Sequence, residues 1–195
     1  MKSKLSNVLL FVGVGLVVVP LLCYAAATQT VNVRAVVPSV NSLNLTVSRI
    51  QNLTWTNATS MDFGTLTFDT TNHIFTSPYY YAVDCGVVDN SGNVWTLTHT
   101  ATNFASGNNT LNSKVNVDFM RQNLTNANGT VISERSYANA SLGVPITKTQ
   151  LGNDGWLRIY YGLGTGSGDN PGVTPINSTQ ASGTYTGSVT VTLTP

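Results

Sequence analysis

The chain has 195 residues, of which 42% are hydrophobic and only 9% are charged. So few ionisable groups leave little material for acid, base or metal chemistry, which argues against most classes of enzyme and against a bound cofactor. The formal net charge is +1 at pH 7, and no cluster of Lys and Arg residues could neutralise the phosphates of a nucleic acid. The composition therefore predicts a non-enzymatic protein that does not bind nucleic acid.

The N-terminal segment, residues 1–27, has the pattern of a secretory signal peptide. Lys2 and Lys4 precede an apolar run from Val8 to Leu22, and Ala25–Ala27 follow it. The run is short for a membrane span, which needs about 20 predominantly apolar residues. We therefore expect this segment to be cleaved after export.

Cleavage would leave a secreted chain that begins near Thr28 and keeps no stable insertion in a membrane. Removing Lys2 and Lys4 from the nine basic residues leaves seven against eight acidic residues. Cys23 would also be lost, so Cys85 would remain as a lone cysteine and no disulfide could form within the chain. An uncleaved membrane anchor and a lipoprotein acylated at Cys23 are the alternatives.

The mature chain has the pattern of an all-β protein. Apolar residues recur at every second position, and Thr, Asn, Val and Gly are abundant, which favours strands and turns. Clusters of turn residues separate the strands at the spacing of a sandwich. We predict a single antiparallel β-sandwich, residues 39–195, preceded by the signal peptide (1–27) and by an N-terminal strand arm (28–38).

Nine strands are predicted from this alternation. They are Thr30–Pro38, Leu43–Ile50, Asp62–Phe68, Pro78–Val88, Asn93–Asn103, Lys114–Met120, Gly129–Ser133, Trp156–Leu163 and Gly183–Pro195. The fourth and fifth are separated by the turn residues Asp89–Asn93, and we expect them to form a hairpin. Residues Gly164–Gly172 are expected to form a loop.

The residues with catalytic potential have simpler explanations. His99 alternates with Trp95 and Leu97 on one face of a strand, which favours a half-buried core histidine over a catalytic base or metal ligand. Cys85 lies among apolar residues in a strand, which favours a small buried hydrophobe over a nucleophile. An extracellular hydrolase would need two carboxylates, such as Asp84 and Asp118, to converge in a cleft.

Three polar loops were considered as calcium sites. Each contains a single carboxylate, whereas a tight calcium loop gathers several, so turn formation explains them better and we predict no metal site. The loops are Asp89–Asn93, Gly152–Gly155 and Gly168–Gly172.

Three aromatic residues are candidates for contact with a glycan: Tyr80, Trp156 and Tyr160. Neighbouring side chains of a strand point to opposite faces of the sheet. Tyr80 and one of Tyr160 and Tyr161 are therefore expected to face outward, with the others in the core. An extracellular carbohydrate-binding or adhesive module that uses these aromatics is the alternative function.

The arm has an alternating pattern of its own, with Val31, Val33, Ala35 and Val37 on one face. Such an arm either folds back as an edge strand of its own sandwich or completes the sheet of a neighbouring molecule. Burial of its apolar face would contribute on the order of 5 to 8 kcal/mol in either place. The pattern alone leaves both possibilities open.

Three short segments carry a resemblance to a known family. The arm TVNVRAVVP, the internal DFGTL and the closing SGTYTGSVTVTLTP resemble segments of the secreted pilin-like subunits of the chaperone-usher class and of the related spore coat protein U-like domains. The resemblance implies an incomplete immunoglobulin-like sandwich, whose groove is filled first by a periplasmic assembly chaperone and then by the arm of the next subunit.

The resemblance also implies roles for particular residues. The arm residues that would insert into a neighbour are Val31, Val33, Ala35 and Val37, and the residues that would line the receiving groove are Tyr185, Val189, Val191 and Leu193. The expected function is that of a secreted cell-surface structural protein. It would be a subunit of a pilus, fimbria or coat that assembles with copies of itself or with related subunits by β-strand addition.

Overall fold

A computed structural model of the chain describes residues 32, 34–90, 94–123, 126–140, 145–146 and 155–194. The chain divides into two compact units, Met1–Val37 and Pro38–Pro195. The described residues contain no α-helix. The strands are β1 (Asn41–Gln51), β2 (Thr54–Ala58), β3 (Thr67–Asp69), β4 (Ile74–Thr76), β5 (Tyr80–Asp89), β6 (Trp95–Ala101), β7 (Ala105–Ser106), β8 (Asn109–Thr110), β9 (Val115–Asn123), β10 (Asn126–Ser136), β11 (Pro145–Ile146), β12 (Gly155–Leu163), β13 (Ile176–Asn177) and β14 (Val189–Thr194), with 3-10 turns at Asn112–Lys114 and Tyr137–Asn139.

The strands form one large sheet and several small ones. Six strands pair in the order β10-β9-β12-β5-β1-β2, and a three-stranded sheet has the order β11-β6-β14. A second three-stranded sheet has the order β13-β4-β3, and β7 pairs with β8. Every described pairing is antiparallel. The predicted all-β, antiparallel fold is thus confirmed, in an arrangement consistent with a β-sandwich.

The core lies against the inner face of the six-stranded sheet. Val83, Ile159 and Phe119 lie side by side on β5, β12 and β9 and are buried. The core-facing residues of β6, Trp95 and Leu97, belong to the same buried cluster. The alternating strands of the two sheets bury their apolar sides against each other, because a sheet can bury one face only by packing against a second layer.

The predicted hairpin of the fourth and fifth strands is wrong. β5 pairs with β1 and β12, whereas β6 pairs with β14 and β11, so consecutive strands lie in different sheets. The reason is that Val83 and Cys85 of β5 and Leu97 of β6 contribute to one core from different sheets. A hairpin would have put all three in a single sheet and left their common face without a cover.

Two predicted strands are shorter in the structure. Of Asp62–Phe68 only the last two residues belong to β3, and Asp62–Leu66 lies outside any strand, with Gly64 at a φ of 70°. The closing strand β14 begins at Val189, so Tyr185 precedes it. The Gly- and Ser-containing stretch before Val189 makes only an isolated bridge from Thr186 to Ala105.

The N-terminal arm is described only in part. Arg34–Pro38 belongs to no β-ladder, and the side chains of Ala35 and Val37 are exposed. The exposed fraction of Val37 reaches 78%. Val31 and Val33 lie outside the described residues.

A buried polar network joins β6 to β12. His99 is 1% exposed; its Nδ1 lies 2.8 Å from the carbonyl oxygen of Ala140, and its Nε2 lies 2.7 Å from the hydroxyl of Tyr161. A carbonyl can only accept, so Nδ1 donates to Ala140 and Nε2 accepts from the tyrosine hydroxyl. Burial lowers the pKa of His99 below its ordinary value of 6.5. The sequence-based interpretation of His99 as a core residue is confirmed.

This network predicts a pH dependence of stability. The unfolded chain takes up a proton on His99 as the pH falls through 6.5, whereas the folded chain resists it. The free energy of unfolding should therefore be highest above about pH 7 and decrease at lower pH, by up to about 1.4 kcal/mol per pH unit. Denaturant unfolding followed between pH 7.5 and 5 measures this loss.

Two variants separate His99 from other groups. His99→Gln, whose amide can replace both hydrogen bonds, should flatten the profile between pH 7 and 5, because carboxylates titrate at lower pH. His73→Asn is the control, since His73 is exposed in a turn at a φ of 55° that Asn tolerates. Equal profiles for His99→Gln and the unmodified protein would show that His99 is not the titrating group.

Candidate functional site

The thiol of Cys85 lies in the core. It is 0% exposed, on the face of β5 that also carries Tyr81 and Val83. Burial, with a smaller contribution from the charge of Asp84, raises the pKa of the thiol to about 12. Because the thiolate is the reactive form, Cys85 is not placed to act as a nucleophile.

The two carboxylates considered for hydrolysis are held by other partners. Arg158 donates to Asp84 through Nε at 2.6 Å and through Nη2 at 2.8 Å. Asp118 accepts a hydrogen bond of 2.5 Å from the side-chain amide of Asn170. Strand β12 lies between the strands that carry the two carboxylates, so the structure does not bring them together in a shared cleft.

Of the three polar loops weighed above, Gly168–Gly172 is the one that is fully described. Its carboxylate, on Asp169, accepts hydrogen bonds from the backbone N–H groups of Thr165 and Gly166 and from the amide of Asn116. These hydrogen bonds direct the oxygens of the Asp169 carboxylate toward groups of the protein. Among the described residues no group of three or more His, Cys, Asp or Glu side chains is placed to hold a metal ion.

Within the described part of the chain, no helix has the length and apolar character needed to cross a membrane.

The first candidate site is the outer edge of β14. This strand pairs with β6 and is the last strand of its sheet among the described residues. Leu193 lies opposite Leu97, and Val191 lies opposite His99. Leu97 and His99 are fully buried, whereas Val191 and Leu193 pack on the same core but remain only partly buried. The core is therefore covered under β6 and partly open under β14.

A groove of about 780 Å³ lies beside the segment that leads into β14. Its walls are the non-strand segments Met61–Leu66 and Gln180–Gly187. Its apolar lining includes Phe63, Leu66, Phe75, Phe104, Leu111, Leu163 and Ile176. The groove is thus an apolar channel bordered by two backbone segments.

The backbone of the groove walls keeps unused hydrogen-bonding capacity. The backbone groups of Gly183 and Thr184 make no hydrogen bond to another described residue. Gly187 lies so close to a neighbouring loop that an added Cβ would come within 3.0 Å of the carbonyl oxygen of Asn103. This close approach, together with the hydrogen bonds between Thr186 and Ala105, fixes one wall of the groove.

The predicted groove residues occupy different parts of this site. Val189, Val191 and Leu193 alternate on the core side of β14, as predicted. Tyr185 lines the groove ahead of the strand, where its hydroxyl donates to the carbonyl of Ala181 at 2.6 Å.

The second candidate site is the outer face of the six-stranded sheet. Tyr80, Trp156 and Tyr160 all lie on this face and are half-buried, because they alternate with the buried core residues Tyr81 and Tyr161. The prediction that neighbouring tyrosines point to opposite faces is confirmed. The ring centroids of Tyr80 and Tyr160 are 6.5 Å apart.

Arg158 forms a cluster on this face that was not predicted from the sequence. The guanidinium of Arg158 lies 4.6 Å from the ring centroid of Trp55 and 5.6 Å from that of Trp156, while Asp84 binds it from the side. Trp55 lies on β2, a strand that the alternation pattern did not indicate. In the sequence, Asn52 was the one local indication of a turn between β1 and β2. In the structure, Asn52 and Leu53 have positive φ angles of 47° and 64° and turn the chain back from β1.

Comparison with protein-family models, with curated proteins and with solved structures finds no match to this chain.

The buried position of Cys85 predicts that the native protein resists alkylation. Iodoacetamide at pH 8 should label Cys85 at a rate limited by opening of the core, because the thiol is buried and its pKa is raised. Mass spectrometry of the tryptic peptide measures the rate, with the urea-unfolded protein as the control. Labelling of the native protein at the unfolded rate would contradict the assigned register of β5.

Proposed function

We propose that this protein is an exported structural subunit that assembles by β-strand addition. In this proposal the fold is an incomplete immunoglobulin-like sandwich, and the edge of β14 accepts the N-terminal arm of a second copy or of a related subunit. The pattern of residues 1–27 supports export, and a cell-surface pilus, fimbria or coat is the assembly we infer.

The observation that carries the proposal is the unequal burial of paired strands. Val191 and Leu193 face the same core as their ladder partners His99 and Leu97, yet only the residues of β6 are fully buried. A strand added along the free edge would cover the apolar side chains of β14 and use its outer backbone groups.

The arm has the chemistry and the length that this edge requires. Its residues 28–38, at about 3.3 Å per residue, span about 36 Å when extended, whereas β14 spans about 20 Å. The arm can therefore pair along β14 and continue beside the groove. Val and Ala on one face would meet the core, and Asn32 and Arg34 on the other would meet solvent.

The base of the arm is anchored to the fold. The amide of Asn90 donates to the carbonyl oxygen of Pro38 at 2.8 Å, and its carbonyl oxygen accepts from the N–H of Val40 at 2.7 Å. Val36 and Val37, immediately before this anchor, are 74% and 78% exposed. Apolar residues so exposed beside an anchored segment favour association of the arm with another apolar surface.

An open edge with only partly buried apolar side chains also gives a chaperone a role in the proposal. Before assembly, the same edge would pair with any available strand and aggregate. A periplasmic assembly chaperone that occupies the edge until the arm of the next subunit replaces it would prevent this.

Deletion of residues 28–37 tests the proposal. The mature chain should form long assemblies in negative-stain electron microscopy and sediment as a heterogeneous polymer. The chain that begins at Pro38 should remain monomeric, because it has lost the donor segment and kept the acceptor edge. Addition of a peptide of residues 28–38 should then raise the melting temperature of the truncated protein, since binding to the native state alone stabilises it.

Paired point variants control for a general effect of the deletion. Val33→Lys with Val37→Lys should abolish assembly, because the proposal buries both side chains. Asn32→Lys adds the same kind of charge on the opposite face and should leave assembly intact. Assembly of the truncated protein into the same polymers would refute the proposal.

A further inference from the structure

We propose that the outer face of the six-stranded sheet is a binding site for an uncharged sugar, with a pyranose ring packed against the rings of Trp55 and Tyr160. The site is on the face opposite the core, and the inference does not depend on strand addition. Its ligand class follows from three features of this face: adjoining aromatic rings, a cation that is already paired and a polar border along β1 and β2.

The aromatic area is formed by rings from three different strands. The centroids of Trp55 and Tyr160 are 6.4 Å apart with their planes at 70°, and Tyr80 adjoins Tyr160 at 6.5 Å. Trp55 is 43% exposed. Beneath these rings, Ile50 and Ala82 are completely buried although they lie on the outer face. The rings therefore form a supported surface with apolar faces of the kind that the C–H groups of a sugar ring contact.

The cation beside the rings is paired. Among the residues of β1, β2, β5 and β12 that point outward, only Arg158 and Asp84 carry a charge. They form a two-point hydrogen-bonded pair, and their side chains are 11% and 25% exposed. On β9, Asp118 lies opposite Tyr160 on the same face and adds a carboxylate, which accepts a hydrogen bond from Asn170. A phosphate or carboxylate ligand would find no free cation on these described strands, and separating the pair would leave a partly buried charge without its partner. The site therefore disfavours an anionic ligand.

The border that β1 and β2 form beside the aromatic area is polar and uncharged. Ser48 lies directly opposite Asn57 on the same face, and Asn44 and Thr46 continue this face along β1. Amide and hydroxyl groups both donate and accept hydrogen bonds, as sugar hydroxyls do. A surface for packing against an apolar protein partner would not need this border.

Titration of the full mature chain with defined oligosaccharides tests the inference. The probes are neutral tetrasaccharides of glucose, mannose, galactose and N-acetylglucosamine, together with a sialylated and a sulfated oligosaccharide. At least one neutral probe should change the tryptophan emission saturably and release heat in calorimetry, and the charged probes should bind no more tightly. Trp55→Ala and Tyr160→Ala should each weaken binding about tenfold or more, because both remove a stacking ring.

Control variants distinguish stacking from damage to the fold. Val88→Ala changes an exposed residue of β5 on the same face, away from the rings, and should leave binding unchanged. Trp55→Phe keeps an aromatic face and should retain more affinity than Trp55→Ala. Melting temperatures verify that each variant is folded.

Three results would overturn the inference. The first is the absence of a saturable response to every neutral probe. The second is binding that survives loss of both Trp55 and Tyr160. The third is a change in the sedimentation of the protein, without any change in sugar binding, when Trp55 is replaced by Ala, which would identify this face as a contact between copies of the chain.

Discussion

The structure depends on covering the inner face of a six-stranded antiparallel sheet. The central strands of that sheet, β9, β12 and β5, place large apolar side chains on one side, and a single β-sheet has no means to bury them alone. β6 supplies the best-covered part of the opposing layer, and the buried network from His99 to Tyr161 ties that strand to the large sheet. β14 lies beyond β6 with its outer edge unpaired among the described residues, so its apolar side chains are only partly buried. Among the described residues the opposing layer ends at β14, and the proposed strand addition would complete its cover.

The same two-residue alternation that builds the core also creates the second surface. In each strand an inward-facing residue is followed by an outward-facing one. Tyr80 and Tyr160 therefore face outward next to the inward-facing Tyr81 and Tyr161. Outward-facing rings need support, and here Ile50, Ala82 and the Arg158–Asp84 pair provide it. The two candidate sites use different parts of the fold, an edge in one case and a face in the other. The proposed assembly through β14 would therefore leave the aromatic face free.

Much of this organisation could be predicted from the sequence because side-chain direction in a strand is a local property. Alternation located β1, β5, β6, β9, β12 and β14, predicted that neighbouring tyrosines face opposite sides of the sheet, and assigned Cys85 and His99 to the core. Strand pairing was less accessible, because a hairpin between β5 and β6 and a crossing between sheets have the same local pattern. β2 was missed because its turn uses Leu53 in a conformation that leucine rarely adopts. Arg158 and Asp84 are 74 positions apart in the sequence. A local sequence pattern carries no information on contacts over such a separation.

The central claim is that the edge of β14 is filled by the arm of a different molecule, and isotope-mixed disulfide trapping tests it most directly. Cysteines would be introduced in one chain at Asn32→Cys and at each of Thr190→Cys, Thr192→Cys and Thr194→Cys in turn, since a disulfide forms only when the Cα atoms are about 4.4 to 6.8 Å apart. Assembly from an equal mixture of ¹⁴N-labelled and ¹⁵N-labelled protein, followed by oxidation and mass spectrometry, identifies which chains were joined. The account predicts cross-linked peptides that combine the two isotopes in at least one register. Cross-links found solely between peptides of the same isotope would show that each molecule fills its own edge and would contradict the account.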